Sequence, residues 1–358
     1  MITRYILKEF LQVFLVTSLA LALVELSVDF IEKIRILYAY SPEWTWLFQY
    51  FFFRLLRIFF ETLPLILLLS TLITLGGLAK NNEITAFKSA GVSIFRLVTP
   101  LLCFGVLVSV ASYQLTGTLI PTLVKRSEFI RAVHIEKKKP AGGFVQNKTW
   151  LHLDSRRLIY VHVVSPDKQR MQGIHLYELG EDFALKMETE AAELIYENGQ
   201  WILLNGRRRT FSRDGSVEFD RFERDAIDIP KKPEDFEEAT FELKELTYGD
   251  LESYVDQLSR AGFDATRYQV DLRGKQAMPF VNAVMVLLGV PFALKDRRSS
   301  GIAFGIAVSL AIALSYWLVF SVTLALGRLQ VLPPWLAGWS ANILILAVSG
   351  HLFFNLRQ

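Results

Sequence analysis

Cysteine is nearly absent. Cys103 is the only one in 358 residues, and it sits inside an apolar run. A single thiol excludes an internal disulfide framework and a Cys-rich metal site, and it reads as a small apolar packing residue. Histidine is sparse too: His134, His152, His162, His175 and His351 are scattered, with neither an HExxH nor a CxxC spacing. No nucleophile–base or metal pattern therefore marks the chain as an enzyme. A G-x-x-x-x-G-K-[ST] loop is also missing, since Gly274-Lys275 lacks both the upstream glycine and the following hydroxyl. If nucleotide energy is used, another chain must bind the nucleotide. Nor is there an excess of one charge. The 39 basic and 36 acidic residues leave a net charge of +3, which gives no reason to expect nucleic acid.

What the chain has in quantity is apolar sequence. Apolar residues make up 52% of it, and the mean hydropathy is +0.30, too high for an ordinary soluble domain. Arg4 and Lys8 precede a first run over residues 10–24. No small-x-small cleavage site closes that run, and its helix continues through Glu25, Asp29 and Glu32 towards Leu37, so it is expected to be an uncleaved span. Further spans are expected over 55–79, where Pro64 should introduce a kink, and over 95–119. Three more follow at 277–294, 302–326 and 335–354, the last opening at Pro333-Pro334, where proline suits a helix start. Runs of about 25 residues are long enough for a hydrocarbon core of roughly 30 Å.

Between the two groups of spans the pattern changes. Charges become frequent, and alternating segments at 150–153, 158–164, 173–179 and 191–196 read as strands. Asn198-Gly199 separates AELIY from WILL, a strong hairpin signal, and Asn205-Gly206 and Asp214-Gly215 are expected to supply further turns. The apolar stripe of these strands is common to a filled core and to a jelly roll whose sheets stay apart for acyl chains. A helix then begins at a Thr247/Asp250 capping box, with Leu251, Tyr254, Val255 and Leu258 on one face and Gly262 as its stop. The expected fold is a membrane α-helical protein of six transmembrane helices, with an antiparallel, jelly-roll-like β domain inserted between helices 3 and 4. In residue numbers this is 1–120 for helices 1–3, 121–245 for the β domain, 246–275 for a helical connector and 276–358 for helices 4–6. With six spans, both termini share one side with the loops at 80–96 and 295–300. That side carries Arg4, Lys8, Lys80, Lys88, Arg96, Lys295, Arg297, Arg298 and Arg357. The basic bias favours cytoplasmic termini and a β domain on the opposite, periplasmic side.

Two groups of residues stand out as functional candidates. Lys33, Arg35, Arg54 and Arg57 flank the outer ends of spans one and two. They suit either snorkelling to lipid phosphates or a cavity rim that holds an anionic head group, because guanidinium forks match phosphate geometry. Asp29, Glu32 and Glu61 are available to pair with them, and Asp29 and Lys33 stand at a favourable helical spacing. Glu25, within the first span, either faces a polar cavity or marks where that helix leaves hydrocarbon. The second group is KNNEITAFKSAGVSIFR, residues 80–96, a mixed-charge segment between two apolar runs. Asn82 is the expected N-cap of a short helix near 81–91, with Glu83, Ile84, Phe87 and Ala90 at helical spacings and Gly91 as the stop. Such a helix is either an amphipathic connector or a rigid knob for a partner.

The layout of three spans, a β insertion and three spans resembles the lipopolysaccharide-export permease family, LptF and LptG. So do an N-terminal Arg-Tyr-Ile leading into span one, the segment NNEITAFKSAGVS, and DLESYVDQLSRAGFDATRYQVDLRGKQAMPF before span four, the last more like the LptG branch. The resemblance implies the permease subunit of an ABC transporter that extracts lipopolysaccharide from the inner membrane and passes it through a periplasmic β domain. It implies a sister permease, a cytoplasmic ABC ATPase dimer that carries ATP and Mg, a periplasmic bridge and a single-span regulator, with no cofactor in this chain. It places Glu83, Ile84, Phe87 and Gly91 in the ATPase-coupling helix, and Arg57 at a position that holds lipopolysaccharide phosphates. Asp29 stands where some LptG members are basic, with Lys33 and Arg35 displaced along the helix. The competing readings are a permease for lipoproteins or peptides, and a membrane sensor with a periplasmic β domain.

Overall fold

The computed structural model describes residues 2–40, 42–137, 149–153, 156–165, 169–180, 184–211, 216–229, 233, 246–260, 262–295 and 302–355. The chain divides into two compact units, one formed by Met1–Lys138 with Thr266–Gln358 and the other by Lys139–Ala265.

The first unit is helical. Its elements are α1 (Ile2–Tyr40), α2 (Trp44–Lys80), the short α3 (Glu83–Ser89), α4 (Ile94–Gly117), α5 (Leu119–Phe129), a π-helical segment Ile130–Ile135, and, after the insertion, the C-terminal helices. In the numbering used below, β1 to β6 and α6 belong to the inserted unit. The C-terminal helices are α7 (Thr266–Ala277), a 3-10 turn Met278–Phe280, α8 (Val281–Lys295), α9 (Ile302–Arg328) and α10 (Pro334–Phe354). Among the described residues six helices are long and apolar enough to cross a membrane: Ile2–Lys33, Trp44–Lys80, Ile94–Gly117, Thr266–Leu294, Gly305–Arg328 and Pro334–Phe354. The sequence reading placed these spans correctly but drew some too short. α2 starts eleven residues before the expected 55 because its first turns are aromatic rather than aliphatic, and it continues as one helix through Pro64. Residue 121, taken as the start of the β domain, falls inside α5. α5 and the π-helical segment pack on α2, where His134 stacks on Trp46 at 3.6 Å. Likewise the stretch 246–275 is not one connector. α7 packs against α9 and α10 as part of the bundle.

Burial in this unit centres on Leu67, Leu68, Leu101, Val281, Val286 and Val290, all essentially inaccessible. Polar bonds cross the apolar interior and fix which faces meet. Thr17 and Ser70 hydroxyls lie 2.8 Å apart between α1 and α2. Ser109 accepts from the Ala283 amide, and Ser112 accepts from Asn282. At the 3-10 break between α7 and α8 the Val281 N–H bonds to Met278 and Pro279 carbonyls. The Ala277 carbonyl instead receives the Asn342 amide at 2.7 Å, and Asn342 in turn accepts from Tyr316. Asn282 serves the Pro279 carbonyl in the same way. A backbone carbonyl in an apolar bundle has no water to turn to, so side chains complete the break.

The inserted unit holds an antiparallel sheet of six strands: β1 (Thr149–His152), β2 (Arg157–Val164), β3 (Arg170–Leu179), β4 (Leu185–Glu197), β5 (Gln200–Phe211) and β6 (Val217–Ile227). The strands neighbour one another in chain order. The antiparallel insertion is as expected, while the described strand order is an up-and-down meander rather than the crossing connectivity of a full jelly roll. One face buries Met171, Ile174, Leu176, Leu194, Leu203 and the fully inaccessible Trp201. Asn198 (φ 50°) and Gly199 (φ 83°) form the β4–β5 turn, both in the left-handed region that such a hairpin needs. Asn205-Gly206 is a correction: it lies within β5, where Asn205 takes φ 51° and interrupts the ladder locally, while the register to β4 is the same on both sides of it. Gly206 is required there because the Phe222 ring crosses it, and a Cβ would stand 2.2 Å from Phe222 Cζ. Asp214-Gly215 lies outside the described residues. Helix α6 (Tyr248–Arg260) opens with the expected box, the Asp250 amide donating to Thr247 Oγ1 and the Thr247 amide to Asp250.

Candidate functional site

The short helix α3 forms where two long apolar helices must reverse direction. Asn82 stands at its N-cap with φ 62°, and its side chain makes no capping bond, so it contributes a left-handed turn rather than the expected cap. At the other end Gly91 takes φ 80°, with its amide bonded to the Lys88 carbonyl and the Val92 amide to the Phe87 carbonyl. This is the glycine-terminated stop that the sequence indicated. Helix α4 then begins with Ser93 accepting from the Arg96 amide.

The four coupling candidates separate by face. Ile84 is buried in the bundle core and Phe87 packs against the same cluster, so these two anchor α3 from beneath. Thr85, Ala86, Ser89, Ala90 and Gly91 form the exposed side. Glu83 lies between, and its Oε2 accepts the Tyr5 hydroxyl from α1 at 2.9 Å. Tyr5, Glu9, Lys80, Asn81 and Glu83 also line a cavity of about 500 Å³ bounded on its apolar side by Gly76, Gly77, Gly305 and Phe292. The sequence singled out Glu83 and Gly91 but gave no sign that Tyr5 would meet Glu83.

The basic group does not act as a single cluster. Arg54 donates from Nε to both Asp29 oxygens at 2.6 Å, bridging α1 and α2, and Asp29 is buried. Asp29 thus pairs across helices and not with Lys33 four residues on, because Asp29 faces α2. Arg57 donates to Glu61 at 2.9 Å along α2, with Glu61 half exposed. Lys33 is partly buried, and the side chain of Arg35 lies outside the described residues, as do Arg297, Arg298 and Arg357. Glu25 Oε2 is buried without a hydrogen-bond partner among the described residues.

One constellation in the β unit has metal-ligand chemistry. His175, Glu188 and Glu190 bring donor atoms within 4.8 Å of one another. Both carboxylates are already engaged: Arg207 and Arg209 hold Glu190, and Arg209 holds Glu188 at 3.0 Å. Burial raises the Glu190 pKa, but the Arg207 hydrogen bond and the charges of Arg207, Arg209 and His175 outweigh it and hold the carboxyl below its ordinary value. Burial and the neighbouring Glu188 and Glu190 push Tyr177 up. Two guanidinium groups satisfying two carboxylates leave little for a cation to gain, and the cluster reads as a cross-strand ion-pair ladder.

Comparison with known proteins follows the same outline. The family model described as lipopolysaccharide export system permease LptF/LptG matches residues 4–355. The lipopolysaccharide export system permease protein LptG of Haemophilus influenzae is 22% identical over 261 residues, which covers 72% of this chain and 71% of that protein. LptG of Escherichia coli K12 is 22% identical over 262 residues, covering 70% of each.

Proposed function

We propose, from the premise that this chain belongs to the LptF/LptG family of lipopolysaccharide export permeases, that it is one permease half of an ATP-driven extractor of lipopolysaccharide. In this reading it is a multi-pass inner-membrane subunit that catalyses no reaction itself. A sister permease completes the lipid path, and a cytoplasmic ABC ATPase dimer, carrying ATP and Mg, drives both. The β unit stands in the periplasm and hands lipid to a periplasmic bridge, with a single-span regulator attached. The LptG-named relatives favour the LptG position in that assembly.

The observation that carries this reading is the separation of parts. Six apolar helices and an inserted β sheet are the parts such an extractor requires, while α3 offers a rigid knob whose underside is locked by Ile84 and Phe87 and whose upper face is free of apolar bulk. Moving several acyl chains towards water costs about 0.8 kcal/mol per CH₂, so an energy source must enter from outside the chain. We assign Glu83 and Gly91 to ATPase docking, Ile84 and Phe87 to holding the docking helix in place. Among Lys33, Arg35, Arg54 and Arg57, we assign Arg57 the head-group contact, because its partner Glu61 is exposed and easily exchanged for a phosphate.

The test is purification from native membrane with identification of co-eluting chains and lipid, followed by photo-crosslinking of lipopolysaccharide to the Arg57→Glu variant. Co-elution of an ATPase and a second permease is expected, with crosslinking in the variant reduced about tenfold or more, as for loss of a charge-assisted contact. A lipoprotein or peptide as the bound cargo, or no ATPase, defeats the proposal, and undiminished crosslinking removes Arg57 from the head-group site.

A further inference from the structure

We propose that Tyr5 is a positioning residue that latches α3 to α1, so that displacement of α3 by a partner is delivered along α1 to its far end. This rests on the reading of α3 as the docking helix. The Tyr5 phenol donates to Glu83 Oε2 at 2.9 Å, joining residues 78 positions apart. Directly beside that bond the two helices share a dry contact. Ile6 of α1, Ile84 and Phe87 of α3, and Leu75, Leu78, Leu97 and Val98 enclose a gap of only about 10 Å³, which is at the limit for a single water. Apolar packing of this kind holds the two helices together but is non-directional, so it permits sliding and rotation of one helix on the other. The hydrogen bond adds a directional restraint between fixed points, so that α1 follows α3.

The bond is placed to be made and broken. Tyr5 is 43% exposed, and Glu83 also borders the cavity of about 500 Å³ that holds Glu9, Lys80 and Asn81. The carboxylate therefore has room to swing away from Tyr5 without disturbing the core. What α1 would carry is set by its other attachments. Its 39 residues span about 58 Å at 1.5 Å per residue. It is bonded to α2 midway through Thr17–Ser70 and again through Asp29–Arg54. A movement received at Tyr5 is thus handed on at Arg54, one helical turn from Arg57.

The experiment uses the complete complex, with sister permease and ATPase, in lipid nanodiscs containing lipopolysaccharide. Tyr5→Phe removes the hydroxyl and keeps the ring. The readouts are ATPase retained on purification, ATP turnover, and lipopolysaccharide released per ATP. Spin labels at Arg4→Cys and Ser89→Cys, in a Cys103→Ala background, report the α1–α3 distance distribution. Tyr5→Phe is expected to keep the ATPase bound and turning over while lowering lipid released per ATP about tenfold, the scale of one hydrogen bond to a charged group. The distance distribution should broaden equally in Tyr5→Phe, Glu83→Ala and the double variant, since both changes cut one link. Unchanged lipid per ATP in Tyr5→Phe, loss of the ATPase from that variant, or additive broadening in the double variant overturns the latch. The docking reading fails separately, if Glu83→Ala retains ATPase binding and normal transport.

Discussion

Asp29 and Arg54 illustrate how a charge is tolerated in an apolar setting. The carboxylate is buried, and both of its oxygens are within 2.6 Å of one guanidinium nitrogen. Removing one partner strands the other, whereas removing both removes the desolvation cost as well. Asp29→Asn is therefore expected to destabilise the detergent-solubilised protein by about 1–3 kcal/mol, while Asp29→Leu combined with Arg54→Leu restores much of the loss. Thermal unfolding of the three variants checks this, and a double variant worse than the single one would refute it. The sequence showed these charges but not their pairing. Helical spacing suggests neighbours within a helix, as with Asp29 and Lys33, and it holds no information on which residue of α2 arrives opposite Asp29.

Elements tell a similar story with a different cause. Two Asn-Gly pairs gave the same local signal, yet Asn198-Gly199 makes a hairpin turn and Asn205-Gly206 lies inside β5 with no change of register. In both pairs the asparagine takes the left-handed backbone, and in the turn Gly199 does as well. What separates them is Phe222 on the adjoining strand, which lies on Gly206 and is remote in sequence. For α3 the decisive local element is Gly91, at φ 80° with open space around it. Gly91→Ala should then cost only the backbone strain, about 1–2 kcal/mol, and should weaken retention of the ATPase by misdirecting the end of the docking helix. Pull-down of the ATPase measures that, and full retention would argue against the geometry of this stop mattering. In the β unit, Glu190 has a lowered pKa, so its ion pairs contribute stability in full above the ordinary carboxyl value of 4.5. That contribution is lost as pH falls through the lower folded value. Glu190→Gln should reduce stability at neutral pH and flatten the acid-side decline in melting temperature, and a decline of unchanged steepness would contradict this assignment.

At the scale of the whole molecule, the arrangement of three spans, an insertion and three spans was readable because continuous apolar runs and alternating strands are different periodicities. The ends of the elements were not, since aromatic and charged turns extend α1, α2 and α7 beyond the runs themselves. The proposed orientation makes a direct prediction. In a Cys103→Ala background, a membrane-impermeant maleimide added outside spheroplasts should label Glu223→Cys on β6 and leave Ser89→Cys on α3 unlabelled until the membrane is opened. The reverse pattern would place α3 outside and remove its access to a cytoplasmic ATPase.

The break between α7 and α8 has a consequence for how such a bundle moves. Asn342 and Asn282 spend their amides on the Ala277 and Pro279 carbonyls, and Tyr316 spends its hydroxyl on Asn342. Were the chain to straighten here, the Asn342 amide would lose the Ala277 carbonyl and face hydrocarbon, and Asn282 would keep only its bond to Ser112. Straightening is therefore costly, and the corner, braced from α9 and α10, is expected to carry α7 and α8 together as one bent strut.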